Sequence, residues 1–269
     1  MSEPPSQYLE SLAPWDGALY AANTGHHRRY DADFIATIDL RPTDRVLDVG
    51  CGSGDFTATV AALVPDGEVV GLEPQPSLVA EAEARAGANQ RFLTAPAQAL
   101  GSLVEPGDFD VAFSRSAIHW IPEADHARIY AAMAAALRPG GTFRIECGGG
   151  DNVREVVAFL DRVAAPYGGS GNPWAFRAAG DVLDLVLSLG LSVDGGWVRT
   201  VAQRRAFDRD SVRGWLQSQA VQAYEQQMPE AARPEFRAEV DGRVDELRRP
   251  DGSHDLTFVR LDVKAFAPD

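Results

Sequence analysis

Asp48, Gly50, Gly52 and Gly54 fall within one short run, Val46-Leu47-Asp48-Val49-Gly50-Cys51-Gly52-Ser53-Gly54, and Glu73 follows 23 residues after Gly50. Glycines where a strand turns into a helix let the backbone come close to a ligand, because no side chain holds it off. A dinucleotide site is written G-x-G-x-x-G, with its pyrophosphate resting on the helix N-terminus. Here the third glycine arrives one residue early, and Asp55 follows it. An acid at that helix start opposes a pyrophosphate. Asp48 is suited to accept hydrogen bonds from a ligand's ammonium group, and Glu73 to accept both hydroxyls of a ribose. An ammonium anchor and a ribose anchor without phosphate contacts describe S-adenosylmethionine.

These residues need strands and helices in alternation to hold them. Tyr30, Phe34 and Ile38 recur at fourfold spacing, which predicts a helix closed off by Pro42. Short apolar runs predict strands at Val46–Val49, Glu68–Leu72, Arg91–Thr94, Phe109–Ser114 and Thr142–Cys147. Helical patterns at 55–64, 77–85 and 124–137 separate them, and Arg138-Pro139-Gly140-Gly141 reads as a turn. The alternation implies right-handed crossovers and a mainly parallel sheet with helices on both faces. Beyond Gly150, Asn152 and Glu155 read as a helix cap, with Asp151 beside them, and 182–189 as a further helix. Residues 197–207 and 256–266 read as the last two strands, with helices at 211–227 and 234–248 between them.

The chain has 269 residues, 25 basic and 39 acidic, a net charge of −14 and a pI near 4.8. Such a field disfavours nucleic acid and anionic membrane surfaces as partners, while leaving a small anionic substrate open through a locally basic pocket. Cys51 and Cys147 are too few for a disulfide scaffold or zinc cluster, and no metal site is expected. No apolar run reaches the ~20 residues that span a bilayer, and the first residues lack a secretory signal pattern. The expectation is a cytoplasmic monomer or homodimer acting on a small molecule.

Residues 44–148 resemble the class I S-adenosylmethionine-dependent methyltransferases. Asp48 to Gly54 matches their first motif, Gly71-Leu72-Glu73-Pro74 their second, and Leu137-Arg138-Pro139-Gly140-Gly141 the turn before their fifth strand. The resemblance implies a Rossmann-like seven-stranded sheet of order 3-2-1-4-5-7-6 with an antiparallel last strand. Phe109 to Ser114 followed by Ile118-His119-Trp120, and Gly214-Trp215-Leu216 with Tyr224, are similar to the trans-aconitate and juvenile hormone acid methyltransferase group, whose members methylate carboxylates. The organisation it implies is a lid at 1–43, a cofactor core at 44–150, and completion of the sheet with a helical cap at 151–269. The activity implied is methyl transfer to a small molecule, at a carboxylate or hydroxyl oxygen, leaving S-adenosylhomocysteine. N- or C-methylation and cofactor binding without transfer are the alternatives.

The resemblance also implies a contact set for the cofactor: Tyr20, Asp48, Gly50, Cys51, Gly52, Glu73, Pro74, Ala97, Gln98 and Ser114. The family's acid that accepts from the adenine amino group falls at Pro96, so the Gln98 amide oxygen and the Ala97 backbone are its replacements here. His119, after the fourth strand, either lines the active site as the catalytic candidate or packs beneath Trp120. Arg115 reads as a fork for a carboxylate or as a salt bridge. Trp120, Trp174, Trp215 and Tyr224 are candidates for covering the substrate, or for core. His26 and His27, with Arg28 and Arg29, read as part of a lid or as a solvated helix start. Asp151 and Asn152 are assigned to capping alone.

Overall fold

A computed structural model of the chain describes residues 31–269. The apolar runs become parallel strands: β1 (Arg45–Val49), β2 (Glu68–Glu73), β3 (Gln90–Thr94), β4 (Phe109–Arg115) and β5 (Leu137–Gly148). All four residues from Val46 to Val49 are buried, as a strand covered on both faces requires. The crossovers include α2 (Asp55–Ala61), α3 (Pro76–Ala84) and α4 (Glu123–Ala136), after a short α1 (Asp31–Ile35). Phe34 and Ile38 are buried against the sheet, as their spacing predicts. Helix α4 passes directly into β5, so Arg138 to Gly141 begins the strand instead of forming a free turn. The register with β4 shifts there, between Phe109 and Val111.

The remaining elements are α5 (Arg154–Ala164), α6 (Ala179–Ser188), β6 (Ser192–Arg205), α7 (Arg209–Trp215), α8 (Val221–Glu225), α9 (Arg233–Gly242) and β7 (Leu256–Phe266). Strand β7 is antiparallel to both β5 and β6, and the sheet order is 3-2-1-4-5-7-6, as expected. Helices α1 and α2 cover one face through Phe34 and Val60, which pack with Phe113 of β4, while α4 and α6 cover the other through Ile129, Met133 and Val186. The helical cap has its own core, in which Phe159 and Leu160 of α5 meet Trp215, Tyr224 and Phe236 of the insertion. The cap therefore draws on the segment before β6 as well as the insertion after it. A π-helical stretch, Leu216–Ala220, joins α7 to α8.

Asn152 is not the expected cap. Val153 occupies the N-cap position of α5 in a left-handed conformation, at φ 44°, and no side chain caps it. Asn152 is buried, and its Oδ1 accepts from the Val259 N–H at 3.0 Å. The need to satisfy that buried strand amide outweighs the local capping pattern. No helix among the described residues is long and apolar enough to cross a membrane.

On one face of β5 and β7 the packing is apolar; on the other it is charged. Phe143, Ile145, Leu261 and Val263 face the α4 side. The alternate residues Arg144, Glu146, Arg260, Asp262 and Lys264 face the α1 side, and β-pleating makes that segregation unavoidable. The segment at and after α1 is keyed to this surface. Asp31 pairs with Arg115 at 2.5 Å, Thr37 accepts from Arg144 at 3.0 Å, and Asp39 pairs with Lys264 at 2.9 Å.

Candidate active site

An open cleft lies at the carboxyl ends of β1, β2 and β4, where open α/β sheets bind ligands. At one end is the glycine loop. The N–H groups of Gly50 and Cys51 both donate to the Leu72 carbonyl, at 2.7 and 3.2 Å, which folds the loop back onto β2. Gly50 has φ 83°, and a Cβ there would sit 2.2 Å from the Ala117 Cβ. Gly52, at φ 56°, is the reverse case: a Cβ built on it meets nothing within 4 Å. That open space belongs to the cleft, so a ligand can lie directly against the Gly52 backbone.

Glu73 ends β2 on the cleft wall. Its carboxylate accepts from the Gly52 N–H at 3.2 Å and the Gln75 N–H at 3.0 Å. Burial raises its pKa to about 7, against the opposing pull of those two amides. Along the same wall Pro74, Ala97 and Gln98 follow. Gln98 donates to Asp125 at 3.0 Å, while its buried Oε1 has no hydrogen-bond partner. Ala97 opens a 3₁₀ helix, whose first N–H groups have no partner within the helix.

Other predicted contacts lie behind the wall. Asp48 is fully buried and accepts from the Thr57 hydroxyl at 2.7 Å, holding α2 to β1. Burial raises its pKa to about 7; the Thr57 hydrogen bond opposes this, Glu73 adds to it, and Arg115 opposes it. The Cys51 side chain packs with Val79, Ala82 and Phe92, and burial pushes its thiol far up. Ser114 donates to the Val49 carbonyl at 2.7 Å and staples β4 to β1. None of these three residues lines the cleft, although a neighbour of each does.

The adjoining wall of the cleft is built from β4 and the turn after it, with Ala117 directly against Gly50. Arg115, Ser116, Ala117, Ile118, Trp120 and Ile121 line it, with Gln226 from the cap. The Arg115 guanidinium, paired with Asp31, lies 4.6 Å from the centre of the Phe56 ring. Ser116 has φ 56° and accepts from Arg260 at 2.9 Å. His119 lies off the wall: its ring is buried between Trp120 and Phe176, and Nδ1 accepts from the Gly148 N–H at 3.3 Å. Burial first, then Arg260 and His126, lowers its pKa well below the usual histidine value, so the ring is neutral. The 3₁₀ turn over Ile118–Trp120 directs Trp120 outward and His119 inward, which strand-end position alone does not reveal.

Trp174 packs edge-on against Trp120, one layer behind the wall. Trp215 and Tyr224 lie in the cap core, the latter donating to Asp161 at 2.6 Å. Tyr20, His26, His27, Arg28 and Arg29 lie outside the described residues. Sequence reasoning missed Ser116, Ala117, Gln75 and Gln226. Gln75 carried a signal as the neighbour of the motif residue Pro74, and Ser116 and Ala117 as neighbours of the candidate Arg115; Gln226 carried none.

Residues 46–141 match the family model for a methyltransferase domain. A trans-aconitate 2-methyltransferase of Methylobacterium radiotolerans is 28% identical, over 94% of this chain and 98% of that protein. Among solved structures, the YcgJ protein of Bacillus subtilis overlays with a TM-score of 0.62 at 17% identity, covering 90% of this chain and 100% of that one. Phosphoethanolamine N-methyltransferase 2 of Haemonchus contortus, solved with S-adenosyl-L-methionine, overlays at 0.56 and 17% identity, covering 94% of this chain and 57% of that one. In its strand order, glycine loop, terminal acid on β2 and methyltransferase domain over residues 46–141, the chain is similar to the class I S-adenosylmethionine-dependent methyltransferases.

Proposed function

We propose that the protein transfers a methyl group from S-adenosylmethionine to the carboxylate of a small organic acid. The residues present fit the cofactor. The open space beside Gly52 accommodates its amino-acid end, Glu73 accepts from the ribose hydroxyls, and the orphaned Gln98 Oε1 accepts from the adenine amino group. When bound, the cofactor supplies an electrophilic methyl on sulfur. With a carboxylate acceptor, one C–O bond forms, one C–S bond breaks with its electron pair left on sulfur, and no proton moves.

The observation carrying the carboxylate reading is the ionisable inventory of the wall. Among the described residues lining the cleft, the ionisable side chains are Glu73 and Arg115. Glu73 is committed to the ribose end. The β4 side offers Arg115 and Ser116, which donate hydrogen bonds, and His119 is buried and neutral off the wall. An alcohol or amine needs its proton removed; a carboxylate arrives ionised. The chain's residues then bind, orient and exclude water, and orientation alone is worth ~7–11 kcal/mol. The similarity to trans-aconitate 2-methyltransferase adds support for this substrate class. The test is S-adenosylhomocysteine formation with a panel of carboxylic acids, phenols and amines. Turnover with acids and release of methyl esters is expected; turnover confined to amines or phenols overturns the reading.

A further inference from the structure

The geometry points to Ser116 as the residue that recognises the acceptor carboxylate, with Arg260 as the positioning residue that fixes its hydroxyl as a donor. This rests on the carboxylate reading above. Ser116 lines the cleft, one residue past the end of β4. Its backbone is pinned: the N–H donates to the Glu146 carbonyl at 2.7 Å, and the residue holds φ 56°, in the left-handed region. A non-glycine residue kept there marks a position where the surroundings dictate the conformation.

Arg260 explains what that conformation achieves. It is 5% exposed, sits opposite Gly148 in the β5–β7 register, and shares a sheet face with Glu146. One of its terminal nitrogens donates to Ser116 Oγ at 2.9 Å and to Glu146 Oε1 at 3.1 Å. A guanidinium only donates, so the serine oxygen facing it must accept. The hydroxyl proton is thereby turned away from Arg260 and polarised by a cation. A donor fixed in this way suits an acceptor-only partner, which an ionised carboxylate is. Because Glu146 neutralises Arg260, the contribution is hydrogen-bond donation and not net positive charge. The hydroxyl proton is satisfied only by a partner that accepts, which an ammonium cannot do.

The experiment uses the full chain and the carboxylic acid of highest turnover in the panel. That acid is titrated into protein saturated with S-adenosylhomocysteine, and KM and kcat are measured separately. Ser116→Ala is expected to weaken acid binding and raise KM by about ten- to hundredfold, as for a hydrogen bond to a charged group. With kcat little changed, that split marks binding shared by ground and transition states. Arg260→Met is expected to match it, with Arg260→Lys partly restoring affinity. The Ser116→Ala/Arg260→Met double variant should lose no more than either single one, because the arginine acts through the serine. Removing one partner of a buried ion pair destabilises strongly, so Arg260→Lys with Ser116→Ala carries the test where Arg260→Met does not fold. An unchanged acid affinity and KM in Ser116→Ala overturns this assignment and leaves carboxylate methylation standing. An equal loss of S-adenosylhomocysteine affinity also overturns it, by moving the effect to the cofactor end. A wild-type panel with no acid turned over removes the underlying reading as well.

Discussion

The two ends of the cleft are constructed from different materials. At the glycine-loop end the backbone forms the surface, through left-handed glycines and main-chain amides held by Leu72 and Glu73. On the β4 side, side chains do so: Arg115, matched by Asp31, lines the cleft, and Arg260, matched by Glu146, stands behind Ser116. A backbone surface admits a ligand by leaving out a Cβ and so can recognise one invariant molecule. A side-chain surface can be altered one residue at a time without moving a strand. The difference teaches which half of the site is fixed by the fold and which half is adjustable.

The sharpest way to break the backbone end is Gly50→Val. The added Cβ would overlap Ala117, and the φ of 83° opposes any branched residue. We expect loss of measurable cofactor binding by calorimetry and a destabilisation of about 2–5 kcal/mol in urea, from overpacking plus left-handed strain. Unaltered binding would remove the backbone-surface account.

Asp48 tests the support beneath that end. Its pKa is raised above the usual carboxylate value to about 7, so the folded state holds its proton more tightly than the unfolded chain. The associated stability is complete below about pH 4 and is lost as pH rises through about 7, up to about 4 kcal/mol. Thermal melts of Asp48→Asn should show a flatter dependence over that window. Equal slopes in variant and wild type would refute the linkage.

A smaller effect is expected from Glu73→Ala, roughly 1.5–3 kcal/mol of cofactor binding. Wild-type affinity should also fall as pH drops below about 7, where Glu73 takes up its proton and one acceptor is lost. Glu73→Gln should flatten that profile; a parallel fall in the variant would show that another group titrates. Smallest is Gln98→Leu, about 0.5–1.5 kcal/mol for one neutral hydrogen bond. Competition by adenosine against an analogue lacking the 6-amino group reads it out. The wild type should prefer adenosine and the variant should not discriminate.

The contrast between the two ends also explains what was legible in the sequence. The strand–glycine–helix junction at Val46 to Gly54 and the acid at Glu73 are demands of local geometry, written in consecutive residues. The sheet order followed from the resemblance. Ser116 and Arg260 meet only because β7 runs antiparallel beside β5, a register set by tertiary packing across 144 residues. His119 was left between two readings for a local reason, since a single 3₁₀ turn decides whether it or Trp120 faces the cleft. Asn152 carried a capping pattern yet serves the Val259 amide of a strand far along the chain. Gln226 emerges one residue after α8, beyond a π-helical segment whose altered phase no 3.6-residue period anticipates.

The strand order has one more consequence, for the sequence of events in assembly. Strand β6 precedes β7 in the chain yet bonds to the sheet only through it. Until β7 inserts, β5 and β6 are both open edges, of the kind that invite pairing with another molecule. The parallel half has no such dependence, because each of β1 to β5 pairs with a strand that is itself within the first five. The glycine-loop end can thus take shape as soon as its own strands associate. The Ser116–Arg260 contact must wait for the closing of the longest loop in the site, which makes that end the slower half to form.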